Sequence, residues 1–460
     1  MTVWFDVEDL FDYAGAGHKR VSGIQRLTME IYRAAVALGH VGFVRHTAAG
    51  DAFAVVDWAE VERQFRDEPA RSGRGAAGYS RLRRLGRRVA GKLPDPVRGP
   101  LVLASVTQAQ AAASAGLLVA GLGGTAVRAA VRRFRRPSRV VRAGASLEDE
   151  ARPGDTLLVL GSPWFRNGYG AMVRRLRDER RMRFGVLLCD LVPVRRPEWS
   201  DEGVRRTFRA WYGDVLPLCD LLMAISRHTA GEVAEYAADL GVMLPRPVRV
   251  LPIGTGFGAQ PARSARTGGM TGGNYVLFVS TLEARKNHAL VVEVWRRLLR
   301  EVRAGTRNAA SVPDLVFAGR VGWLVDDLVQ ELANSDWLGG RIRMVRTPSD
   351  AELQALYDGA LFTVFPSLHE GWGLPVTESL ARGVPCLCSD AASLPEAGGA
   401  LCRYFDPESV HSAHEAVAAV LDDRAGLASW RDRVRREFRP TPWTDTARAV
   451  LDEAAAAEAP

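Results

Sequence analysis

Short apolar runs that read as strands alternate with helical runs twice along this chain, and one stretch rich in Gly, Pro, Ser and Thr separates the two series. In the first series the strand-like runs are Thr2 to Val7, Val41 to Arg45, Phe53 to Asp57, Thr156 to Gly161, Phe184 to Cys189, Leu221 to Ser226 and Val248 to Leu251. Runs that are apolar throughout suit strands buried on both faces, and strands separated by helices are joined by crossovers. Each series therefore predicts a parallel sheet covered by helices, an α/β architecture of Rossmann-like, doubly wound domains. The break runs from Gly254 to Gly273, and the second series opens at Tyr275. The expected organisation is a first domain over 1–255, a linker over 256–273, a second domain over 274–439 and a closing segment over 440–460 with a helix from Thr444 to Ala457. A chain of 460 residues, 47% apolar and 25% charged, can build two such cores and is not disordered in composition.

Charge is distributed unevenly. Between Arg71 and Arg142 there are sixteen Lys or Arg against one acid, Asp95, a net of +15 in a chain whose total is 61 − 53 = +8, so the remainder carries −7. Inside this zone the twenty-nine residues Gly99 to Val127 carry no charge. Their Gln108, Gln110 and many alanines make a poor membrane span, so the expectation is a helical insertion over about 71–142 whose basic flanks meet anionic lipid headgroups; the plain alternative is a solvated Arg-rich loop. The arginines lack interleaved aromatics for stacking on bases, which argues against nucleic acid. Gly121-Leu122-Gly123-Gly124-Thr125-Ala126 fits a dinucleotide fingerprint by letter only. The segment after it is half arginine and no carboxylate follows about twenty residues on. The five cysteines, at 189, 219, 386, 388 and 402, are odd in number and fall mostly in strand-like runs, with no paired histidines at metal-ligand spacing. They point to a reduced cytoplasm and to core packing, and the amino terminus shows no secretory segment.

The chemistry concentrates in Pro366-Ser367-Leu368-His369-Glu370-Gly371-Trp372-Gly373-Leu374-Pro375-Val376-Thr377-Glu378, two carboxylates eight positions apart around a glycine-rich turn. Leu361 to Phe365 reads as a buried strand and Val376 to Arg382 as a helix, so the loop lies at a strand's C-terminal end. Pro375 suits a first helical position, and the free amides at Gly373 and Leu374 make a phosphate-attracting helix start. Glu378 is then expected in the first turn, where the dipole favours a carboxylate and ribose hydroxyls can be held. Glu370 lies within reach of a sugar; His369 reads as ordinary packing.

These residues resemble the Glu, seven residues, Glu signature of retaining GT-B glycosyltransferases, specifically glycosyltransferase family 4 and its mannosyltransferase-like members. Three further blocks carry the resemblance: Tyr275 to Asn287 with Arg285-Lys286, Leu315 to Trp323 with Gly319, and Ser393 to Gly399 with Phe405-Asp406-Pro407. It covers most of 274–410 and, more thinly, Asp6-Val7, Ser22 to Arg26, Gly154 to Gly161 and Leu188 to Pro193. The resemblance implies two domains facing across a cleft and a final helix that crosses back to the first. It implies catalysis by Glu370, Arg285 and Lys286, and donor contacts from Glu378, Gly371, Trp372, Gly373, Leu374, Thr281 and Gly319. Acceptor-side contacts fall to Gly23 and Asp190. A His usually precedes that Asp in the family; Cys189 stands there, which makes Asp190 the better candidate. Ser22 and Gln25 also form a capping box, so a well-started helix burying Ile24, Leu27 and Ile31 is the bland reading of that block.

The expected reaction moves a hexose, mannose or a deoxyhexose, from a nucleotide-diphosphate sugar to a glycan or lipid-linked glycan. Resemblance tilts the donor to GDP-mannose; no cofactor and no metal ligand are expected, since no Asp-x-Asp stands at a strand end. Cleaving the anomeric bond builds charge on the diphosphate, which Arg285, Lys286 and the loop amides would meet. A glycosidase would instead need both carboxylates across the scissile bond. The expected location is cytoplasmic, peripheral on the inner face of the membrane. A non-catalytic membrane scaffold and a basic nucleic-acid binder are the rival classes.

Overall fold

The computed structural model describes residues 1–16, 21, 23–39, 41–47, 49–65, 144–166, 168–256 and 273–456. The basic insertion at 71–142, the Gly121 to Ala126 turn, Ser22 and most of the linker lie outside the described residues.

The first series builds a seven-stranded sheet from β1 (Val3–Asp6), β2 (Val41–His46), β3 (Phe53–Val56), β4 (Thr156–Val159), β5 (Arg183–Leu188), β6 (Leu221–Ala224) and β7 (Arg249–Val250), in the order β3-β2-β1-β4-β5-β6-β7. Six of these strands run parallel, and β3 does not: it pairs antiparallel with β2, His46 opposite Phe53. This corrects the all-parallel expectation, and its cause is loop length. Only Thr47 to Ala52 separate the two strands, closed by Thr47 N–H to Ala52 O at 2.9 Å, and a parallel return needs a crossover of a dozen residues or more. Adjacent residues of β1 enter different cores, Trp4 with Phe184, Phe208 and Trp211, Phe5 with Tyr32, Phe43 and Met29. Both faces of the strand are therefore buried, which is why its sequence is apolar without alternation.

The second series builds a six-stranded, wholly parallel sheet from β8 (Tyr275–Val279), β9 (Asp314–Gly319), β10 (Ile342–Arg346), β11 (Phe362–Phe365), β12 (Cys386–Ser389) and β13 (Arg403–Phe405), ordered β10-β9-β8-β11-β12-β13. Its largest core gathers Phe278, Trp295, Phe317, Phe362 and Trp430. Cys386, Cys388 and Cys402 are members of that core, and all five cysteines are buried and free. Strand order reverses between β8 and β11. In open α/β sheets, ligands bind in the crevice outside the strand ends at such a reversal, so topology alone directs attention to the loops after β8 and β11.

The helix Ile24–Leu38 is started by Gly23 at φ 57°, ψ −125°, a backbone that suits glycine; the anticipated Ser22–Gln25 box rests on Ser22 and so lies outside the described residues. Leu27 and Ile31 are buried as expected. The closing helix is Trp443–Ala456, and it lays Trp443, Ala447, Val450 and Ala454 into the core shared with the helix Ile24–Leu38. Trp443 covers Gly254 so closely that a Cβ there would fall 2.2 Å from the indole. Beside it, Thr255 N–H reaches Thr441 O at 2.9 Å and Thr446 Oγ1 donates to Pro252 O at 2.7 Å, so the two chain crossings between the sheets run side by side.

Replacing Trp443 with Ala opens a cavity at this junction, and such losses cost about 3–5 kcal/mol. The urea midpoint of Trp443→Ala is expected to fall accordingly. An unchanged midpoint would show that the closing helix contributes nothing to the fold.

Candidate active site

Arg285 and Lys286 stand in a single turn, Ala284–Lys286, directly after β8, and Glu370 stands in the loop after β11. The fold closes these two loops on each other. Lys286 Nζ lies 2.5 Å from Glu370 Oε1, and Arg285 Nη1 lies 2.9 Å from Glu370 Oε2. Arg285 also donates to His369 O at 2.6 Å and to Glu283 Oε1 at 2.8 Å. Backbone contacts fix the register: Leu368 N–H to Arg285 O at 2.9 Å, Ser367 Oγ to Arg285 O at 3.2 Å and Ser393 Oγ to Glu370 O at 2.7 Å. Glu370 is buried. Burial acts to raise its pKa, but Arg285 and then Lys286 outweigh it and hold the carboxyl down, to about 2. The site thus gathers the Glu370 and Glu283 carboxylates and two cations at the topological switch point, and its second cation, an ammonium with three donors, is committed to Glu370 through one of them.

The glycine turn carries Glu370 against the first sheet. At Gly371 a Cβ would fall 1.7 Å from Cys189 O, at the end of β5, so only glycine allows this approach. Trp372 and Leu374 pack against the first domain's core. Gly373, at φ 104°, caps the helix Leu374–Ala381. Pro375 is its second residue, not its first, and Glu378 its fifth, beyond the first turn, so the dipole argument for Glu378 does not apply. Glu378 is buried and accepts from Tyr357 Oη at 3.0 Å, with Arg26 Nη1 3.3 Å away. Arg26 comes from the first domain, two residues after the helix begins. Asp190 accepts from Val192 N–H at 3.2 Å; against burial, Glu370, then Glu283 and Asp190, raise the pKa of Arg285. Gly319 ends β9 where a Cβ would lie 1.9 Å from Ser280 O, and the Thr281 methyl faces Gly322. These two positions set the floor of the β8 loop by close packing.

Several residues that matter here were given no role from the sequence. Glu396 accepts from the backbone N–H of Arg227 and of His228 at 2.9 and 2.8 Å, so one domain's carboxylate meets the first amides of the other's helix Arg227–Asp239. Trp323, 51% exposed, donates to Trp199 O at 3.0 Å. His369 is buried beside His228 and Glu232; chain spacing gave no metal ligands, whereas the fold brings these three together. A second buried acid group sits at the ends of β1, β2 and β4. Asp6 Oδ2 accepts from Tyr169 Oη at 2.7 Å and lies 3.1 Å from His46 Nε2, while Glu8 pairs with Arg45 at 3.2 Å and Arg166 at 2.9 Å. Asp9 is wedged against Gly161, with Ser162 N–H 3.3 Å away. Burial, reinforced by the neighbouring charge of Asp6, raises its pKa to about 7.

Comparison with known proteins places this geometry. Residues 262–437 match the model of the family described as glycosyl transferases group 1. The serotype-specific mannosyltransferase WbdA of Escherichia coli is 27% identical over 248 residues, 51% of this chain and 29% of that protein. The O-antigen chain mannosyltransferase B of Escherichia coli is 33% identical over 158 residues, 34% of this chain and 38% of that protein. The chain thus spans about a third of the length of these relatives. Among solved structures, that of Anabaena Alr3699/HepE in complex with UDP and glucose superposes with a TM-score of 0.51 at 13% identity, covering 65% of this chain and 78% of that one. The fold is GT-B.

Asp9 yields a pH test. Its folded pKa lies above the ordinary 3.8, so the native state binds its proton more tightly than the unfolded chain and stability falls as pH rises between those values. Asp9→Asn has no such proton. The stability of Asp9→Asn minus that of the wild type should grow from pH about 4 to about 7 and then level off, read from urea midpoints. Parallel profiles would refute the assignment.

Proposed function

We propose that this chain, whose residues 262–437 match the glycosyl transferases group 1 model, is a retaining, metal-independent hexosyltransferase of glycosyltransferase family 4. It moves mannose or a related deoxyhexose from a nucleotide-diphosphate donor, GDP-mannose foremost, to a glycan or lipid-linked glycan in surface polysaccharide synthesis. The observation that carries this reading is the convergence of Arg285 and Lys286 on Glu370 at the β8–β11 switch point. The mannosyltransferase names of the relatives support the sugar.

The proposed chemistry follows from charge. As the anomeric carbon–oxygen bond breaks, negative charge grows on the leaving diphosphate and positive charge on the sugar ring. Fixed cations aimed at the leaving group then bind the transition state more tightly than the ground state. Arg285 and Lys286 take the diphosphate side together with the amides at Gly373 and Leu374. Glu370, ionised in their company, takes the sugar side. Glu378 contributes the ribose contact, and Gly23 and Asp190 lie on the acceptor side. The acceptor hydroxyl attacks from the face the leaving group departs, and a departing phosphate oxygen takes its proton. A scaffold without activity would not need this cation–carboxylate set.

Membrane contact belongs to the same proposal and rests on composition. The segment 71–142 carries sixteen basic residues against one acid, enough for attraction to anionic lipid at ordinary ionic strength. Among the described residues no helix is long and apolar enough to cross a membrane.

Incubating the protein with a panel of nucleotide-sugars should raise its melting temperature for one donor class, and lipid-linked oligosaccharide should gain a hexose whose linkage can be determined. Glu370→Gln and Lys286→Ala should each lower transfer by about two orders of magnitude or more, with circular dichroism showing that each variant keeps the native fold. Near-normal turnover in either variant removes that residue's role. Indifference to every donor, with binding of nucleic acid that weakens steeply with salt, would favour the basic-binder alternative.

A further inference from the structure

Three side chains outside the cation clamp meet at the seam between the two sheets. His228 and Glu232 stand four residues apart on one face of the helix Arg227–Asp239 in the first domain, and His369 stands one residue before Glu370 in the second. Glu232 Oε1 lies 3.6 Å from His228 Nε2 and 3.5 Å from His369 Nε2, and one ligand atom from each of the three residues lies within 4.8 Å of the others. These contacts lie within ion-pair range but are too long for good hydrogen bonds. Neither imidazole Nε2 nor Glu232 Oε2 makes a hydrogen bond, although all three atoms are buried. His369 as a residue is 6% exposed. Buried polar atoms are nearly always partnered, so two imidazole nitrogens that both face Glu232 Oε1 without a hydrogen bond call for a common partner.

We propose that His228, Glu232 and His369 form a binding site for a zinc-class divalent cation that bridges the two domains. A zinc ion bound to nitrogen and oxygen at about 2.0–2.1 Å spaces tetrahedral ligand atoms roughly 3.4 Å apart, and a two-His, one-carboxylate set is among the donor sets such ions select. The measured 3.5 and 3.6 Å match that spacing. The ligands are also held in place. Glu396 fixes the first turn of the helix that carries His228 and Glu232, and Arg285 and Ser367 both donate to His369 O. Glu232 and Glu396 surround the point with negative charge, which favours a cation over a third basic group. The ion takes no part in glycosyl transfer. It pins the segment before Glu370 to the first domain, so occupancy would hold the interdomain seam shut.

The test uses the full, tag-free chain stripped with a chelator, titrated with zinc chloride in a calorimeter and with cobalt(II) in a spectrophotometer. One ion per chain is expected, with intense cobalt d–d bands of a four-coordinate, nitrogen-containing site, and a rise in melting temperature. His228→Ala, Glu232→Gln and His369→Gln should each weaken binding by about tenfold or more. Circular dichroism in chelator confirms that each variant is folded. Absence of saturable binding, undiminished binding in all folded variants, or the weak bands of an all-oxygen octahedral cobalt site would each overturn the proposal. The cobalt spectrum of the wild type decides the matter even if every variant misfolds. No donor sugar is present in any arm, so failure here leaves the transfer reading standing, and failure of that reading leaves this one standing.

Discussion

The arrangement depends on burying the Glu370 carboxylate between two cations. A lone carboxylate out of water costs several kcal/mol, and a buried pair is stable only when its geometry is good and its remaining donors are used. Here both carboxylate oxygens are engaged, one by Lys286 and one by Arg285, and Arg285 spends further donors on His369 O and Glu283. Remove either loop from its strand and a charge is stranded. The clamp therefore orders both loops at once, and the parallel sheet with its reversed strand order is what brings their roots side by side.

The contact between the domains mixes close backbone approach, polar side-chain contacts and apolar packing. Gly371 presses against Cys189 O, Glu396 meets two helix amides of the other domain, and Arg26 reaches across to Glu378. Apolar packing adds Trp372 and Leu374 to the first domain's core. Such contacts are directional. A displacement of an ångström or so breaks them without exposing a large apolar area, which suits a seam between domains better than a greasy interface would.

What could be read in advance follows from where the information sits. Strands such as β1, β5 and β11 are continuous apolar runs, and a stretch such as Leu361 to Phe365 declares its own burial. The reversal of β3 could have been read from the brevity of the loop between the two runs, but its signal is a length and not a pattern of residue types. Glu378 was misplaced by a single step, since the helix begins at Leu374 and not at Pro375, and one residue is enough to move a side chain out of the first turn. The pairing of Lys286 with Glu370 was approachable because topology puts two known loops on one crevice. That of His228 and Glu232 with His369 was not, for no local preference of an exposed helix face tells which loop will cross it.

The two chain crossings between the sheets lie alongside each other, tied through Thr255 and Thr441 and covered by Trp443. Two ropes fastened at one point behave like a door hung on a single pin: swinging about the knot stretches neither, whereas sliding one half past the other strains both. A tie at that one point opposes sliding of one sheet past the other more than turning about the knot.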